Sequence, residues 1–182
     1  MTRNTAREIA MHLAYELSFN DLPVEEFLDV QLSTDSFAAL APEHPIYEER
    51  PNAKQEEYIR RLVAGVAEHA AELDGDIEKY AKGWRFERIS LVASAIMRVA
   101  MYEILYMQDI PNAAAINEAV EMTKRWGRPK AAGMVNAVLR KFVSNWMDMP
   151  ALPQGTTADY LSVRYSHPKW LVKRLQAILG PE

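Results

Sequence analysis

The sequence contains no cysteine among its 182 residues. This absence excludes disulfide bonds, thiolate zinc sites, iron–sulfur clusters and a cysteine nucleophile within this chain. It also fits a reducing compartment, so we expect a cytoplasmic protein. No apolar run has the length and freedom from charge that a membrane span requires, because Arg98 and Glu103 interrupt the most apolar segment, 89–107.

The sequence also lacks the residue patterns of catalytic and cofactor sites. Its seven glycines are scattered, and they form neither a phosphate-binding loop nor a dinucleotide fingerprint. No serine lies in a nucleophile-elbow motif. The four histidines lie far apart, without metal-ligand spacing: His12, His44, His69 and His167. We therefore expect no enzymatic activity, no metal and no cofactor.

Helical spacing of apolar residues recurs along the chain, and few segments alternate apolar and polar residues with period two. This pattern predicts an all-α fold. The segment 86–108 is apolar on most of its circumference, which is typical of a helix at the centre of a bundle. The stretch 34–52 holds three prolines and four acids and predicts a long loop with room for one helical turn. Seven helices are expected, at about 4–19, from 23 onward, and at 53–73, 74–80, 86–108, 112–127 and 129–146.

The pattern divides the chain into a helical domain over 1–147, a linker over 148–158 and a C-terminal helical extension over 159–182. In the extension, apolar side chains recur at helical spacing: Trp170, Leu171, Leu175 and Ile178. Leaving such a stripe in water is costly, so we expect it to dock. Docking on its own domain and docking in a partner's groove both stay open.

Charge is segregated although the net charge is only −4. Residues 20–60 contain ten acids and three bases, whereas 122–146 contain six bases and no acid. Four of these bases lie on both sides of a predicted helix end and helix start, so they converge on one loop: Lys124, Arg125, Arg128 and Lys130. Such a basic stretch indicates either an anion-binding surface or the solvated faces of two helices.

Several strings carry a family resemblance. The most specific are Ile-Pro-x-x-x-Ala-Ile-Asn-Glu-Ala-Val-Glu over 110–121 and Val-Asn-Ala-Val-Leu over 135–139. Further matches lie at 62–66, 73–77 and 95–104, and in the first helix at Arg3, Ala6, Arg7, Glu8, Ala10 and Tyr15. Together these motifs cover about 3–146, and the chain resembles the NusB family of bacterial transcription antitermination factors.

The resemblance implies a NusB-like bundle of about seven helices in two helical subdomains, followed here by an extra C-terminal helix. It implies a non-enzymatic protein that pairs with NusE, a ribosomal protein, and binds boxA elements in single-stranded nascent RNA. That pair helps the transcription elongation complex to read through terminators, chiefly in ribosomal RNA operons. Some relatives self-associate, which leaves a homodimer open for this chain.

The resemblance and the charge pattern together predict an RNA-binding surface. Tyr15, one turn beyond the N-terminal arginines, is interpreted either as a platform on which a base stacks or as a core aromatic with its hydroxyl at the surface. The predicted RNA-binding residues are Arg3, Arg7, Tyr15, Lys124, Arg125, Arg128 and Lys130.

Three features depart from the family pattern. The N-terminal arginine cluster is limited to Arg3 and Arg7, and Ala93 stands where many members carry an acid at the partner surface. The segment 160–175 resembles the connector of the Sun/Fmu ribosomal RNA cytosine methyltransferases. A detached RNA-binding domain of such an enzyme and a pure protein-interaction module are therefore alternatives, although Met1 and a helix stop at 180–181 favour a complete small protein.

Overall fold

The computed structural model describes residues 1–85 and 88–147. These residues form eight α-helices, two 3-10 turns and no β-strand, which confirms the all-α prediction. The 3-10 turns are Pro45–Tyr47 and Pro129–Ala131. The helices are α1 (Arg3–Leu17), α2 (Val24–Gln31), α3 (Thr34–Leu40), α4 (Ala53–Glu68), α5 (Ala70–Tyr80), α6 (Leu91–Tyr106), α7 (Asn112–Trp126) and α8 (Ala132–Met147).

The chain divides into two compact units, Met1–Leu139 and Arg140–Glu182. The central element of the first unit is α6, which packs against α1, α4, α5 and α7. Ile96, Val99 and Met101 on this helix are completely buried. The predicted central position of the most apolar segment is therefore confirmed, because a helix with neighbours on most of its circumference is apolar on most of its faces.

Local capping residues set the helix starts. In the capping box of α4, the Asn52 side chain accepts from the Gln55 amide (3.0 Å) and the Gln55 side chain accepts from the Asn52 amide (2.8 Å). The helix predicted from residue 86 begins only at Leu91. There the Ser90 hydroxyl accepts from the Ala93 amide (3.2 Å), and this side-chain cap fixes the first turn.

The boundary between α4 and α5 lies at His69, not at 73–74 as predicted. Asp74, predicted to cap a helix, lies inside α5 and binds Arg98 of α6 (Nε to Oδ1, 2.6 Å). His69 is buried, forms a hydrogen bond with Glu72 (2.8 Å) and stacks on Tyr106 (ring centroids 4.7 Å apart). Packing on α6 therefore decides where this long helical stretch bends.

The predicted loop over 34–52 contains a full helix, α3. The Ser33 hydroxyl caps it by accepting from the Ser36 amide (3.2 Å). Phe37 is buried and meets Tyr47 edge to face, with ring centroids 5.2 Å apart. The prolines and acids that suggested a loop lie mainly after Leu40, so the prediction missed a short helix before them.

The predicted linker, 148–158, and the predicted extension, 159–182, lie outside the described residues. The same holds for the apolar stripe that includes Trp170, Leu171, Leu175 and Ile178. Among the described residues, no helix is both long and apolar enough to cross a membrane.

Candidate nucleic-acid interface

Arg7, one of the predicted RNA-binding residues, lies inside the protein with 2% of its surface exposed. Its Nε contacts both carboxylate oxygens of Glu103 on α6 (3.0 and 2.8 Å), and its Nη1 donates to Asn4 Oδ1 (2.9 Å). Glu103 is completely buried and also accepts from the Tyr58 hydroxyl. Arg7 therefore joins α1 to α6 and is not available at the surface.

Charge and burial act together in this network. Burial disfavours the charged form of Arg7, but the adjacent carboxylate of Glu103, with smaller contributions from Tyr58 and Glu118, outweighs it and raises the Arg7 pKa. Burial, and then the same carboxylate, raise the pKa of Tyr58, so its hydroxyl keeps its proton and donates a hydrogen bond to Glu103. The buried charge of Glu103 is thus matched by a guanidinium and a hydroxyl.

Arg3 lies one turn before Arg7 and is more than half exposed. Its guanidinium is 3.9 Å from Asp109, a weak contact between two exposed side chains. A shallow pocket beside it is lined by Lys54, Gln55 and Tyr58, so a second cation lies near Arg3. Lys54 was not among the predicted residues, because it belongs to the acidic stretch 20–60 and only the packing of α1 on α4 brings it to this place.

Arg125 and Trp126, at the end of α7, are attached to α1 through one carboxylate. Glu8 is almost completely buried, and its Oε2 lies 3.4 Å from Nη2 of Arg125. Its Oε1 accepts from the Trp126 indole nitrogen. Arg125 nevertheless keeps 51% of its side chain exposed, so its guanidinium can reach a further anion.

Tyr15 lies in the same part of the surface as Trp126. Both line a mostly apolar pocket of about 210 Å³, together with Met11 and with Val92 of α6. Tyr15 is half-buried, and it meets the exposed ring of Phe19 edge to face, with centroids 5.2 Å apart. The structure thus brings an aromatic platform on α1 close to the basic end of α7.

Ala93, which stands where many family members carry an acid at the partner surface, is completely buried at the start of α6. Its methyl group is part of the core. The neighbouring Val92 lines the Tyr15 pocket instead. Any partner that reaches this region therefore meets an apolar wall, not a carboxylate, at the beginning of α6.

A histidine and a glutamate line the Tyr15 pocket in addition to the tyrosine itself. Burial, and then the nearby His44, lower the pKa of His12 to about 4, so its imidazole is neutral at pH 7. His12 packs edge to face on Trp126, with ring centroids 4.2 Å apart. Burial also raises the pKa of Glu16. The pocket is thus suited to an aromatic or apolar group.

The remaining predicted residues lie at the turn between α7 and α8, as the sequence indicated. Lys124 is half exposed and is paired with Glu121 one turn earlier (3.0 Å). Arg128 and Lys130 are exposed on either side of Pro129, which begins a 3-10 turn. Gly127 ends α7, as predicted.

Side-chain contacts join α1 to α7 along a seam, whereas the predicted residue Arg7 lies buried against α6. Asn4 donates to Glu118 in the middle of α7 (2.8 Å), and Glu8 contacts Arg125 at its end. Arg3 lies at one end of the seam and Tyr15 at the other, about 18 Å apart along α1 at 1.5 Å per residue. The described part of the chain contains no cluster of three His, Asp or Glu residues that could hold a metal ion.

Comparison with known proteins identifies the family. Residues 4–144 match the NusB family. The transcription antitermination protein NusB of Ruminiclostridium cellulolyticum is 35% identical over 159 residues, which cover 87% of this chain and 97% of that relative. The solved structure of T. maritima NusB aligns with a TM-score of 0.64 and 27% identity, covering 79% of this chain and 92% of that one.

A solved complex of the antitermination factors NusB and NusE with double-stranded RNA shares the fold. Its matching chain aligns with a TM-score of 0.61 and 22% identity, covering 79% of this chain and 96% of that one. The family match spans most of the sequence, and the relative from R. cellulolyticum is covered almost completely. The chain described here therefore belongs to the NusB family.

Proposed function

We propose that this chain is an RNA-binding transcription antitermination factor that acts with NusE on boxA RNA in ribosomal RNA operons. Its relatives are named transcription antitermination protein NusB, at 31–38% identity over most of their length. A structural neighbour holds NusB and NusE together with RNA. The proposal makes the chain a regulator without catalytic activity, working in the cytoplasm where nascent RNA is made.

The observation that carries the proposal is that one carboxylate, Glu8, binds both Arg125 and Trp126, and that Trp126 lines the pocket beside Tyr15. A guanidinium can bind a phosphate, and an adjacent aromatic ring can stack on a base, which are the two contacts that single-stranded RNA requires. Here the buried carboxylate of Glu8 holds the Arg125 guanidinium and the Trp126 indole, and that indole forms a wall of the pocket beside Tyr15, so little ordering is needed on binding.

Arg7 has a different part in this proposal from the other predicted residues. Its guanidinium binds the buried carboxylate of Glu103 and is not available to RNA. Arg7 therefore positions α1, and with it Arg3 and Glu8, which lie within one turn of Arg7. The side chains proposed to contact RNA are Arg3, Tyr15, Lys124, Arg125, Arg128 and Lys130.

Neutralising two of these cations tests the proposal. Arg125→Gln with Arg128→Gln should weaken binding of a labelled boxA-type RNA, measured by fluorescence anisotropy over a range of salt. Each lost phosphate contact should reduce the salt slope by about 0.7, so the double variant should lose about 1.4. Glutamine is preferred to glutamate at 125, because a carboxylate there would repel Glu8 and disturb α1.

Lys79→Gln is the matched control, since Lys79 is an exposed cation on α5 that does not belong to the seam. It removes one unit of charge and should leave the salt slope unchanged. If the double variant and Lys79→Gln bound boxA-type RNA equally well, the RNA would not lie on the seam, and the proposed surface would be wrong.

The same proposal predicts how much the partner contributes. A net charge of −4 opposes RNA at long range, so binding by this chain alone should be weak and should strengthen when NusE is added. Titrating labelled boxA-type RNA with and without NusE measures this. Equal affinity in both titrations would contradict a joint RNA-binding surface. The proposed function also includes recruitment to the transcription elongation complex. Whether the chain forms a homodimer is a separate question, which sedimentation of the chain alone would test.

A further inference from the structure

A tight turn after α5 presents a tryptophan to solvent. Gly83 has a φ of 89°, and the Trp84 amide donates to the Ala81 carbonyl (2.9 Å). A glycine with positive φ at the third position is the signature of a type II turn, and other residues adopt this conformation at a cost. Trp84 is 56% exposed, although a ring of this size is usually covered.

Three arginines surround a cleft next to this tryptophan. The Arg88 amide donates to the Arg85 carbonyl (2.9 Å), which keeps these two residues one turn apart. Arg128 reaches the same cleft from the turn after α7. We call this feature the arginine cleft; it encloses about 850 Å³ and is lined by Arg85, Arg88, Arg128, Trp84, Leu91 and Met134.

The charges of the arginine cleft are uncompensated within the part of the chain that the structure describes. Arg60, Arg98 and Arg125 each contact a carboxylate in the fold. Arg85 and Arg88, in contrast, are exposed and have no ion pair with a described acid, and the same holds for Arg128. Three like charges around one concavity favour an anionic ligand.

The arginine cleft continues the surface proposed for boxA RNA. Leu91 lines the cleft, and the next residue, Val92, lines the Tyr15 pocket. On the other side, Arg128 follows Trp126 by two residues. A strand that leaves the Tyr15 pocket therefore needs to pass only the start of α6 to enter the cleft.

We propose that the arginine cleft binds single-stranded RNA flanking the boxA element, an inference that rests on the proposed function. The three guanidinium groups contact successive phosphates, and the exposed indole of Trp84 stacks on an unpaired base. Single-stranded RNA is the favoured ligand, because a base in a duplex is already stacked and cannot use an aromatic platform. The cleft then adds affinity without reading a defined sequence.

The test compares two probes, a labelled boxA-type RNA and the same RNA with an oligouridine extension at its 5′ or 3′ end. Wild-type protein should bind one extended RNA more tightly than the short RNA. Arg85→Gln with Arg88→Gln should abolish that gain and leave the affinity for the short RNA unchanged. Arg128 is kept intact, because it belongs to both surfaces.

Two further variants make the comparison specific. Trp84→Ala should reduce the affinity for the extended RNA by about tenfold, the usual effect of losing one base–aromatic stack. Arg61→Gln is the matched control: Arg61 donates to the Tyr106 carbonyl at the far end of α6, about 22 Å from Leu91 at 1.5 Å per residue. It should leave the gain from the extension intact. Circular dichroism verifies that every variant folds.

The outcomes separate this inference from the proposed function. No gain from either extension would overturn the inference while leaving boxA binding intact. Equal weakening of short and extended RNA in the Arg85 and Arg88 variant would also overturn it, because the cleft would then be part of the boxA site. Unchanged binding of both RNAs would point to an acidic protein as the ligand instead. Failure of wild-type protein to bind either RNA would refute the proposed function and this inference with it.

Discussion

Gly65 on α4 lies directly against the ring of Tyr102 on α6, so that a methyl group at Gly65 would overlap the ring atoms Cζ and Cε2. The ring has little freedom to move away, because it is buried and stacks on Tyr106 with centroids 4.7 Å apart. The absence of a side chain at Gly65 therefore sets how closely these two helices approach.

Gly65→Ala should destabilise the fold by about 1–3 kcal/mol through overpacking. Gly75→Ala on α5 is the matched control, because a methyl group there would meet no atom within 4 Å. That change should stabilise the protein by about 0.4–1 kcal/mol, since alanine loses less backbone entropy in a helix. Urea unfolding of the two variants measures the difference, and equal shifts of the same sign would contradict the close contact.

Arg7→Ala should cost about 3–5 kcal/mol, because it leaves the completely buried carboxylate of Glu103 without its cation. Arg3→Ala, one turn earlier and exposed, should change stability by no more than about 0.5 kcal/mol. Chemical unfolding of both variants distinguishes a structural arginine from a surface arginine. A small effect of Arg7→Ala would mean that the buried pair does not hold α1 on α6.

Tyr15 allows a test of base stacking apart from packing. Tyr15→Phe retains the ring and should keep the affinity for boxA-type RNA, whereas Tyr15→Leu should weaken it by about 1–3 kcal/mol. Both variants remain apolar in the pocket shared with Trp126, so stability should change much less than binding. Anisotropy titrations measure the affinity. Similar binding by both variants would favour the alternative that Tyr15 is a core aromatic.

His12 should make the fold sensitive to acid. Its pKa is about 4 in the folded chain against 6.5 for the ordinary side chain, so the unfolded chain binds more protons between these values. Stability should therefore fall as the pH decreases from about 7 to about 4, by up to about 3 kcal/mol. His12→Gln should remove this loss, and urea unfolding across the same pH range compares the two proteins.

Asp76 provides the internal control for that measurement, because its titration has the opposite sign. Burial raises the Asp76 pKa to about 6, so here the folded chain binds more protons between about 4 and 6. The contribution of Asp76 to the free energy of unfolding therefore increases as the pH falls. Asp76→Asn removes this contribution, so the variant should lose stability more steeply than wild-type protein on acidification. If the free energy of unfolding changed with pH in the same way for wild-type protein and for His12→Gln, the pKa of His12 would not be lowered by its burial.

Most of the secondary structure follows from local sequence. The apolar spacing of α6, the glycine at the end of α7 and the basic turn around Pro129 were all predicted correctly, since each depends on residues close together in the chain. The errors arose where distant packing overrides local pattern. The break at His69 depends on Tyr106, and the place of Asp74 depends on Arg98, which is 24 residues away.

The candidate RNA-binding surface shows even more clearly which features follow from local sequence and which depend on distant packing. Periodicity, motifs and charge counts are properties of the chain alone, so they were enough to predict the helical class, the family and the segregation of basic residues. Which of the cations face solvent depends on the folded structure. Arg3 and Arg7 look equivalent in sequence, but Glu103, 96 residues after Arg7, buries one of them and leaves the other exposed. Burial depends on the partner that folding brings near, and no local pattern around Arg7 specifies that partner.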